Sequence, residues 1–242
     1  MNDMTIDEMI KKFKEFHKMY EERIKEGKDV NEILDEFKNG EKSSRDRQSA
    51  KQILKFSKIL SKYINEDFFE NAYFYLNSLI EDCSDKYIRI DLNELNREGI
   101  FFNFLGSHLK NKHLEIDGSV GDFLGGNAEN SIITVNGDAK NLAGFFMKYS
   151  EITLNGNAGD FVGENSRNSS IIVNGNSGDC VGTSAKNSKI IVNGNAGDSI
   201  GMEASNSKIY IKGNIERLPN YLDKSTEIYQ MQNGIYVKVF PK

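Results

Sequence analysis

The sequence predicts an α+β protein in which an N-terminal helical domain is followed by a right-handed parallel β-helix with 19-residue coils. Three observations support this prediction. Residues 1–85 contain few glycines, no proline and apolar residues at helical spacing. Between residues 114 and 213, one 19-residue unit recurs without an insertion, and a fixed period of this kind indicates stacked repeats. Residues 215–242 leave the pattern and are predicted to form a C-terminal cap.

The helical domain, residues 1–85, is predicted to begin with a capping box. Thr5 and Glu8 have the required spacing, and apolar residues on one helix face follow as far as Gly27. Three further helices are expected: a short one around residues 30–37, one capped by Ser43 or Ser44 with an apolar stripe over residues 50–64, and one over about residues 66–81. Their apolar faces must pack on each other or on the end of the repeat region.

The predicted third helix carries a basic ridge. Its members recur at steps of three and four residues: Arg47, Lys51, Lys55, Lys58 and Lys62. Such a ridge can bind an acidic partner or the phosphates of a nucleic acid. A solvated lysine face is the competing interpretation, and we favour it because the region is net acidic and lacks interleaved exposed aromatic residues. Binding of nucleic acid is therefore kept only as a weaker alternative.

Each 19-residue unit starts with an apolar triplet such as Ile171-Ile172-Val173. Stacking every triplet on its copy in the next coil would pair all backbone polar groups, which predicts a parallel β-helix over residues 86–214. The strong preference for right-handed crossovers sets the expected hand. Because strand side chains alternate, the first and third residues should face a lumen and the second should face outward. The opposite lumen wall should contain Leu124, Val162, Val181 and Ile200.

Polar residues and glycines of the unit recur in columns. One column runs through Asn136, Asn155, Asn174 and Asn193, and another contains one serine per unit from Ser131 to Ser207. Stacked Asn and Ser side chains can bond one another and the backbone at turns. Glycines, among them Gly137 to Gly194 and Gly144 to Gly201 at the same spacing, are expected to form the corners. We interpret these columns as structural.

One column consists of aspartates, whose carboxylates could act in catalysis or bind a cation. Its members are Asp122, Asp160, Asp179 and Asp198. On consecutive coils the carboxylates would lie about 5 Å apart, where they raise one another's pKa or bind a cation. This gives an alternative function, a carbohydrate-active or calcium-binding β-helix. The competing interpretation is that each Asp accepts backbone amides at its own turn. We favour the latter because the column has no companion Arg, Lys or His, and calcium-binding β-rolls repeat every nine residues.

Apolar residues that interrupt the pattern are candidate interaction residues. In the second unit, Lys140-Asn141 replaces Gly-Asp, and Phe145, Phe146 and Met147 stand where small polar residues are usual. The outward triplet position becomes apolar in the last coils, at Ile172, Ile191 and Tyr210. Such a strip should be covered by a partner or by the chain itself. A hairpin around Gln232-Asn233-Gly234 is predicted to close the end.

The remaining features exclude several classes of protein. The net charge of −5 gives no general attraction to nucleic acid or anionic membranes. No catalytic triad, P-loop, HExxH or CxxC motif is present, so no catalytic residue, metal or cofactor is predicted. Met1–Met4 lacks the pattern of a signal peptide, and no apolar run is long enough for a membrane span. Cys83 and Cys180 lie far apart, and a reducing compartment suits them. We expect a cytoplasmic protein.

The unit has the pattern I-x-V-N-G-N-A-G-D-x-V-G, and residues 190–201 follow it with Ile200 in place of the second Val. This pattern resembles the GXGXG repeat domain. That domain occurs at the C-terminus of glutamate synthase large subunits and in the C subunit of formylmethanofuran dehydrogenases. The resemblance covers about residues 95–214. It implies a right-handed β-helix with a scaffolding role. We therefore expect a non-catalytic scaffold that binds another protein chain or itself, as an accessory subunit of a redox or amidotransfer complex.

Overall fold

A computed structural model describes residues 5–29, 32, 49–62, 69–219 and 222–241. Its helices are α1 (Ile6–Lys25), α2 (Ala50–Ile59), α3 (Phe69–Asp82) and α4 (Asn93–Arg97), and a 3₁₀ turn, Leu60–Lys62, follows α2. Its strands are β1 (Tyr87–Asp91), β2 (His113–Asp117), β3 (Ile132–Asn136), β4 (Glu151–Leu154), β5 (Ser170–Val173), β6 (Lys189–Val192), β7 (Ala196–Asp198), β8 (Lys208–Ile211), β9 (Ile215–Arg217), β10 (Glu227–Gln232) and β11 (Ile235–Phe240).

The predicted capping box at the start of α1 is confirmed. The Thr5 hydroxyl accepts from the Glu8 amide at 3.3 Å, and the Glu8 carboxylate accepts from the Thr5 amide at 2.6 Å. For α2, the N-cap is Ser49, whose amide donates to the Gln52 side chain at 2.9 Å, and not the predicted Ser43 or Ser44. Those serines and the helix predicted around residues 30–37 fall outside the described residues, apart from the isolated residue 32.

An aromatic cluster joins the first three helices. The Tyr75 ring of α3 lies 5.4 Å from Phe13, 5.8 Å from Phe16 and 5.7 Å from Phe56, measured between centroids. The Tyr75 hydroxyl, which is buried, donates to the Met9 carbonyl at 3.2 Å. Phe56 is fully buried because α2 packs on both its helical neighbours and on β1.

The helical region is joined to the first coil by buried polar contacts. From α3, the Asn77 side chain donates to the Phe104 carbonyl at 2.9 Å and accepts from the Gly106 amide at 3.0 Å. In return, the Lys112 ammonium donates to carbonyls at the C-terminal end of α3, those of Ile80, Glu81 and Cys83, each at 2.7 Å. Apolar residues from the helices to the C-terminal hairpin form one contiguous core.

A parallel β-solenoid of about six turns follows the helical region, which confirms the predicted order of the two parts and the 19-residue coil. The main sheet has the order β1-β2-β3-β4-β5-β6-β8-β10-β11, and every pair up to β8–β10 is parallel. Two further columns of parallel bridges complete each coil, one through Val120, Ala139 and Ala158 and one from Lys110 to Ser205. Strand β1 begins the main sheet, and α4 lies between β1 and β2 in the first coil.

The predicted lumen is confirmed. Ile171 and Val173 are buried whereas Ile172 between them is half-exposed, and the other triplets alternate in the same way. The opposite wall contains Leu124, Val162, Val181 and Ile200, each at most 1% exposed. Met147 also belongs to the lumen, with no exposed surface. Its prediction as a surface contact residue is wrong, because its position in the unit, equivalent to the buried Ser166, points inward.

The two glycine columns have different roles. Gly163 and its equivalents adopt φ near +73°, as predicted for corner glycines. Gly175 and its equivalents Gly137, Gly156 and Gly194 do not have positive φ, so the corner explanation is wrong for them. They lie against the backbone of the previous coil, where a Cβ on Gly175 would meet the Gly156 carbonyl oxygen at 2.8 Å. Non-glycine residues such as Phe123 and Asn168 form further left-handed corners.

The predicted C-terminal hairpin is confirmed. Strands β10 and β11 pair antiparallel around Asn233-Gly234, both with positive φ. Strand β10 also pairs parallel with β8, so the hairpin extends the main sheet beyond the last coil. Leu222 and Ile228 are buried over the open end of the lumen. Strand β11 consequently forms the edge of the main sheet.

Candidate functional site

The Asp column is a hydrogen-bond ladder between coils. Asp160 Oδ1 accepts from the backbone amide of Asp179 at 2.9 Å, and Asp179 Oδ1 accepts from that of Asp198 at 2.9 Å. Asn141 occupies the same column and accepts from the Asp160 amide at 2.9 Å. The accepting oxygen therefore serves the next coil and not its own turn. The Asp side chains accept backbone amides as predicted, but the prediction that these amides belong to the same turn is wrong.

Two neighbouring columns repeat this principle. Asn157 Oδ1 accepts from the Asn176 amide at 3.0 Å, and Asp138 Oδ1 accepts from the Asn157 amide at 2.6 Å. The predicted asparagine column is a side-chain ladder, in which Asn174 Nδ2 donates to Asn155 Oδ1 at 2.8 Å. The Asp ladder and the ladder through Asp138 and Asn157 supply acceptors to backbone amides that an isolated coil would leave unpaired, whereas the asparagine ladder links side chains only.

The Asp column offers little room for a cation. Gly178 packs so closely on Asp160 that an added Cβ would overlap its Oδ1. Asp198, at the end of the column, pairs with Arg217 at 2.9 Å. Within the described ranges, no group of three or more His, Cys, Asp or Glu side chains is arranged to hold a metal ion.

The basic ridge is exposed on α2 and in the turn after it. Lys51, Lys55, Lys58 and Lys62 all have exposed side chains. Lys58 lies 3.7 Å from the Asp91 carboxylate, which ties this part of the ridge to the first strand of the solenoid. Arg47 lies outside the described residues. The geometry is that of a solvated helix face, with one ion pair to the neighbouring sheet.

The aromatic residues of the second unit extend a ring stack towards the helices. Phe145 lies 5.7 Å from Phe123, which stacks on Phe104 at 4.8 Å, and Phe104 contacts Tyr73 of α3 at 6.0 Å. Phe146 packs edge-on against Phe145 and stays 37% exposed. Lys140, the other register break, lies 5.1 Å over the Phe101 ring. Phe145 and Lys140 therefore make contacts within the chain, so they are not both free to contact a partner.

The outward apolar strip continues into the C-terminal hairpin. Ile172 and Ile191 are half-exposed neighbours in register with Tyr210. Tyr210 stacks on Tyr229 of β10 at 4.8 Å and meets Tyr236 of β11 edge-on at 5.3 Å. The hairpin therefore covers the aromatic end of the strip. Strand β11 itself leaves Ile235 66% and Tyr236 39% exposed.

A polar cleft that the sequence analysis did not identify runs along one corner of the solenoid. Two adjoining cavities of about 590 and 430 Å³ share Tyr149, Asn168 and Asn187 as lining residues, which form an exposed row between them. One wall carries Lys148, Arg167 and Lys186, and the other carries Lys189 and Lys208. Lys148, Arg167 and Lys186 occur once per 19-residue unit and are separated in sequence, so a search for basic runs does not find them.

Several side chains in the described ranges have pKa values shifted by burial or by hydrogen bonds. Burial tends to raise the pKa of Asp117, but hydrogen bonds from Arg89 and Asn136 outweigh it and hold that pKa below its ordinary value. Burial raises the pKa of both free thiols, Cys83 and Cys180. A raised pKa disfavours the reactive thiolate. None of these groups forms a catalytic arrangement with the others.

Comparison with known proteins gave no match, either among protein-family models or among curated proteins. Of the helices in the described ranges, none combines the length and apolarity that crossing a lipid bilayer requires.

Proposed function

We propose that this chain is a non-catalytic scaffold that binds another protein chain, or a second copy of itself, at the C-terminal end of the solenoid. The observation that carries the proposal is strand β11. It is an edge strand of the nine-stranded main sheet, and it exposes Ile235 and Tyr236. Tyr236 contacts Tyr210, which continues the apolar strip of Ile172 and Ile191. An exposed apolar edge strand presents unpaired backbone groups to a further strand.

The resemblance to the GXGXG repeat domain favours an accessory subunit of a redox or amidotransfer complex, in which other subunits perform the chemistry. It also favours a right-handed coil, in agreement with the general preference for right-handed crossovers. The Asp column adds no support for a catalytic or calcium-binding function, because its Oδ1 atoms accept interstrand hydrogen bonds from backbone amides.

The proposal is tested by sedimentation of the full chain and by mass spectrometry of proteins that co-purify with it. We expect a dimer or a stoichiometric partner that is lost in Ile235→Lys. Ile132→Lys on β3 is the matched control, since Ile132 is also an exposed isoleucine on the main sheet, at 43%, but lies away from the edge. A chain that is monomeric and alone, or equal loss in both variants, would reject the proposal.

A further inference from the structure

The polar cleft, hereafter the corner groove, contains a central row of residues that repeats with the coils. Tyr149, Asn168, Asn187 and Asn206 occupy equivalent corner positions, all with φ between 50° and 51°. Side chains at such positions point away from the coil body, and Tyr149 is 59% exposed. Successive residues of this row are separated by the spacing of adjacent strands, about 4.8 Å. The groove thus presents one hydrogen-bonding amide per coil beside an exposed aromatic ring.

One wall of the corner groove concentrates positive charge. Lys148, Arg167 and Lys186 are exposed and stand in direct register on three consecutive coils, joined by parallel bridges. Within the described part of the chain, no carboxylate lies within 4.0 Å of any of the three cations, or of Lys189 opposite. Like charges in register destabilise a sheet. This arrangement in a chain of net charge −5 favours a bound anion.

The acidic groups near the corner groove lie towards its ends. Glu129 pairs with Lys110 at 3.9 Å, and Glu227 pairs with Lys208 at 3.2 Å. Glu151 lines the first coil of the groove. Between these ends, the coils that contain Arg167 and Lys186 present these cations beside the exposed asparagines of the central row. The anionic part of a ligand is therefore expected over these coils.

From this arrangement we propose that the corner groove binds an acidic polysaccharide, a chain of uronic acid residues lying along the solenoid. A hexuronate residue is about as long as the coil spacing, so a chain lying along the solenoid can bring its carboxylates near the cations of several coils. Its hydroxyls suit amides that both donate and accept. The Tyr149 ring offers a face on which the apolar side of a sugar ring can stack. A single-stranded nucleic acid is less suited, because it would require an aromatic side chain for successive bases.

This site is separate from the proposed scaffold function. It lies on the corner before the main sheet, whereas the protein contact was assigned to β11 at its edge. Ile235→Lys should therefore leave glycan binding unchanged. Loss of groove binding in an Arg167 variant should leave the assembly state unchanged.

The test is calorimetric titration of the full chain with an oligogalacturonate of about ten residues, beside a neutral oligosaccharide of equal length and a poly(U) strand of equal charge. We expect binding of the oligogalacturonate that weakens as salt increases, and none of the neutral sugar. Arg167→Gln with Lys186→Gln should weaken binding at least tenfold, and Tyr149→Ala at least threefold. Lys51→Gln with Lys55→Gln, on the exposed face of α2, is the matched control and should bind as the parent does.

Three results would overturn the inference. The first is the absence of oligogalacturonate binding at low salt. The second is equal or tighter binding of poly(U), which would assign the groove to a nucleic acid. The third is equal weakening by the α2 control, which would indicate attraction to any polyanion. All substituted side chains are exposed, and circular dichroism with thermal melting verifies that each variant is folded.

Discussion

At the scale of single residues, the repeat depends on close approach between coils as much as on unusual backbone angles. Gly163 and Gly175 recur with the same period, but only Gly163 has positive φ. Gly175 instead lies where any Cβ would press on the carbonyl oxygen of Gly156 in the coil before it. In the sequence, both appear simply as glycines that recur in every unit. Only the stacking geometry separates a conformational requirement from a steric one.

Gly175→Ala is expected to destabilise the protein by about 1–3 kcal/mol, through overpacking against backbone that cannot rotate away. Gly126→Ala is the matched control. Gly126 likewise lacks positive φ, and its nearest obstacle is the Ser107 hydroxyl at 3.3 Å, which can move. Urea unfolding should therefore place Gly126→Ala within about 1 kcal/mol of the parent. Equal costs for both substitutions would contradict the steric explanation.

Replacement of Asp160 and Asp179 by Asn should change stability by less than about 0.5 kcal/mol. The amide oxygen of Asn can accept the same backbone hydrogen bond, as Asn141 already does in this column. Asp160→Ala removes the acceptor of the Asp179 amide and should cost about 0.5–1.5 kcal/mol. The measurement is urea unfolding with and without calcium. A calcium-dependent increase in stability that the Asn variants lose would restore the cation-site hypothesis.

At the scale of elements, residues that break the repeat connect the solenoid to its two ends. Lys112 stands where the following units carry Ser131 and Ser150, and its ammonium reaches the carbonyl end of α3. The last carbonyls of a helix lack intrahelical partners, and a cation there also complements the helix dipole. At the other end, Glu227 joins β10 to both β8 and β11 through Lys208 and Lys238.

Lys112→Met keeps the length of the side chain and removes its three donated hydrogen bonds. We expect a loss of about 1.5–3 kcal/mol, the range for hydrogen bonds to a charged group. The control is Lys110→Met, whose exposed ammonium pairs with Glu129 at 3.9 Å and should contribute less than about 1 kcal/mol. Chemical denaturation of both variants measures the difference. Equal losses would show that Lys112 does not cap α3 in solution.

Glu227 should make the attachment of the hairpin sensitive to acid. Hydrogen bonds from Lys238, Lys208 and Tyr229 lower its pKa from 4.5 to about 2. Because the folded-state pKa is depressed, this stabilisation is complete above pH 4.5 and is lost as the pH falls through about 2. The difference in unfolding free energy between the parent and Glu227→Gln should therefore shrink over that interval. If the difference in unfolding free energy between the two proteins stayed constant between pH 6 and pH 2, the lowered pKa of Glu227 would be contradicted.

How far the sequence predicts these features depends on whether the feature repeats. The lumen positions and the hairpin were predictable because their patterns are local or recur every 19 residues. The roles of Asn77 and Lys112 were not predictable. Each residue occurs once, and its hydrogen bonds join positions about 30 residues apart in the chain. The groove cations were also missed. Lys148, Arg167 and Lys186 become neighbours only when consecutive coils are stacked, whereas in sequence each stands alone.

At the scale of the whole molecule, a solenoid whose coils contact only their neighbours can unfold from its ends. Here both ends are covered. The helices pack on the first coil through Asn77 and α2, and Leu222 with Ile228 closes the last. The apolar residues from Met9 to Ile228 belong to one core. Covered ends and a shared core favour cooperative unfolding of the described chain, with no early release of the helical region.

We therefore predict a single unfolding transition, in which helical and solenoid amides reach the same limiting hydrogen-exchange free energy. Asn77→Ala should separate them, because it leaves the Phe104 carbonyl and the Gly106 amide unpaired at a buried joint, at a cost of about 1–3 kcal/mol. In that variant, amides of α3 should exchange before those of β3 to β6. Calorimetry with hydrogen exchange and mass spectrometry tests both statements. Two resolved transitions in the parent protein would instead show that the helices are an independent domain, joined to the first coil only weakly.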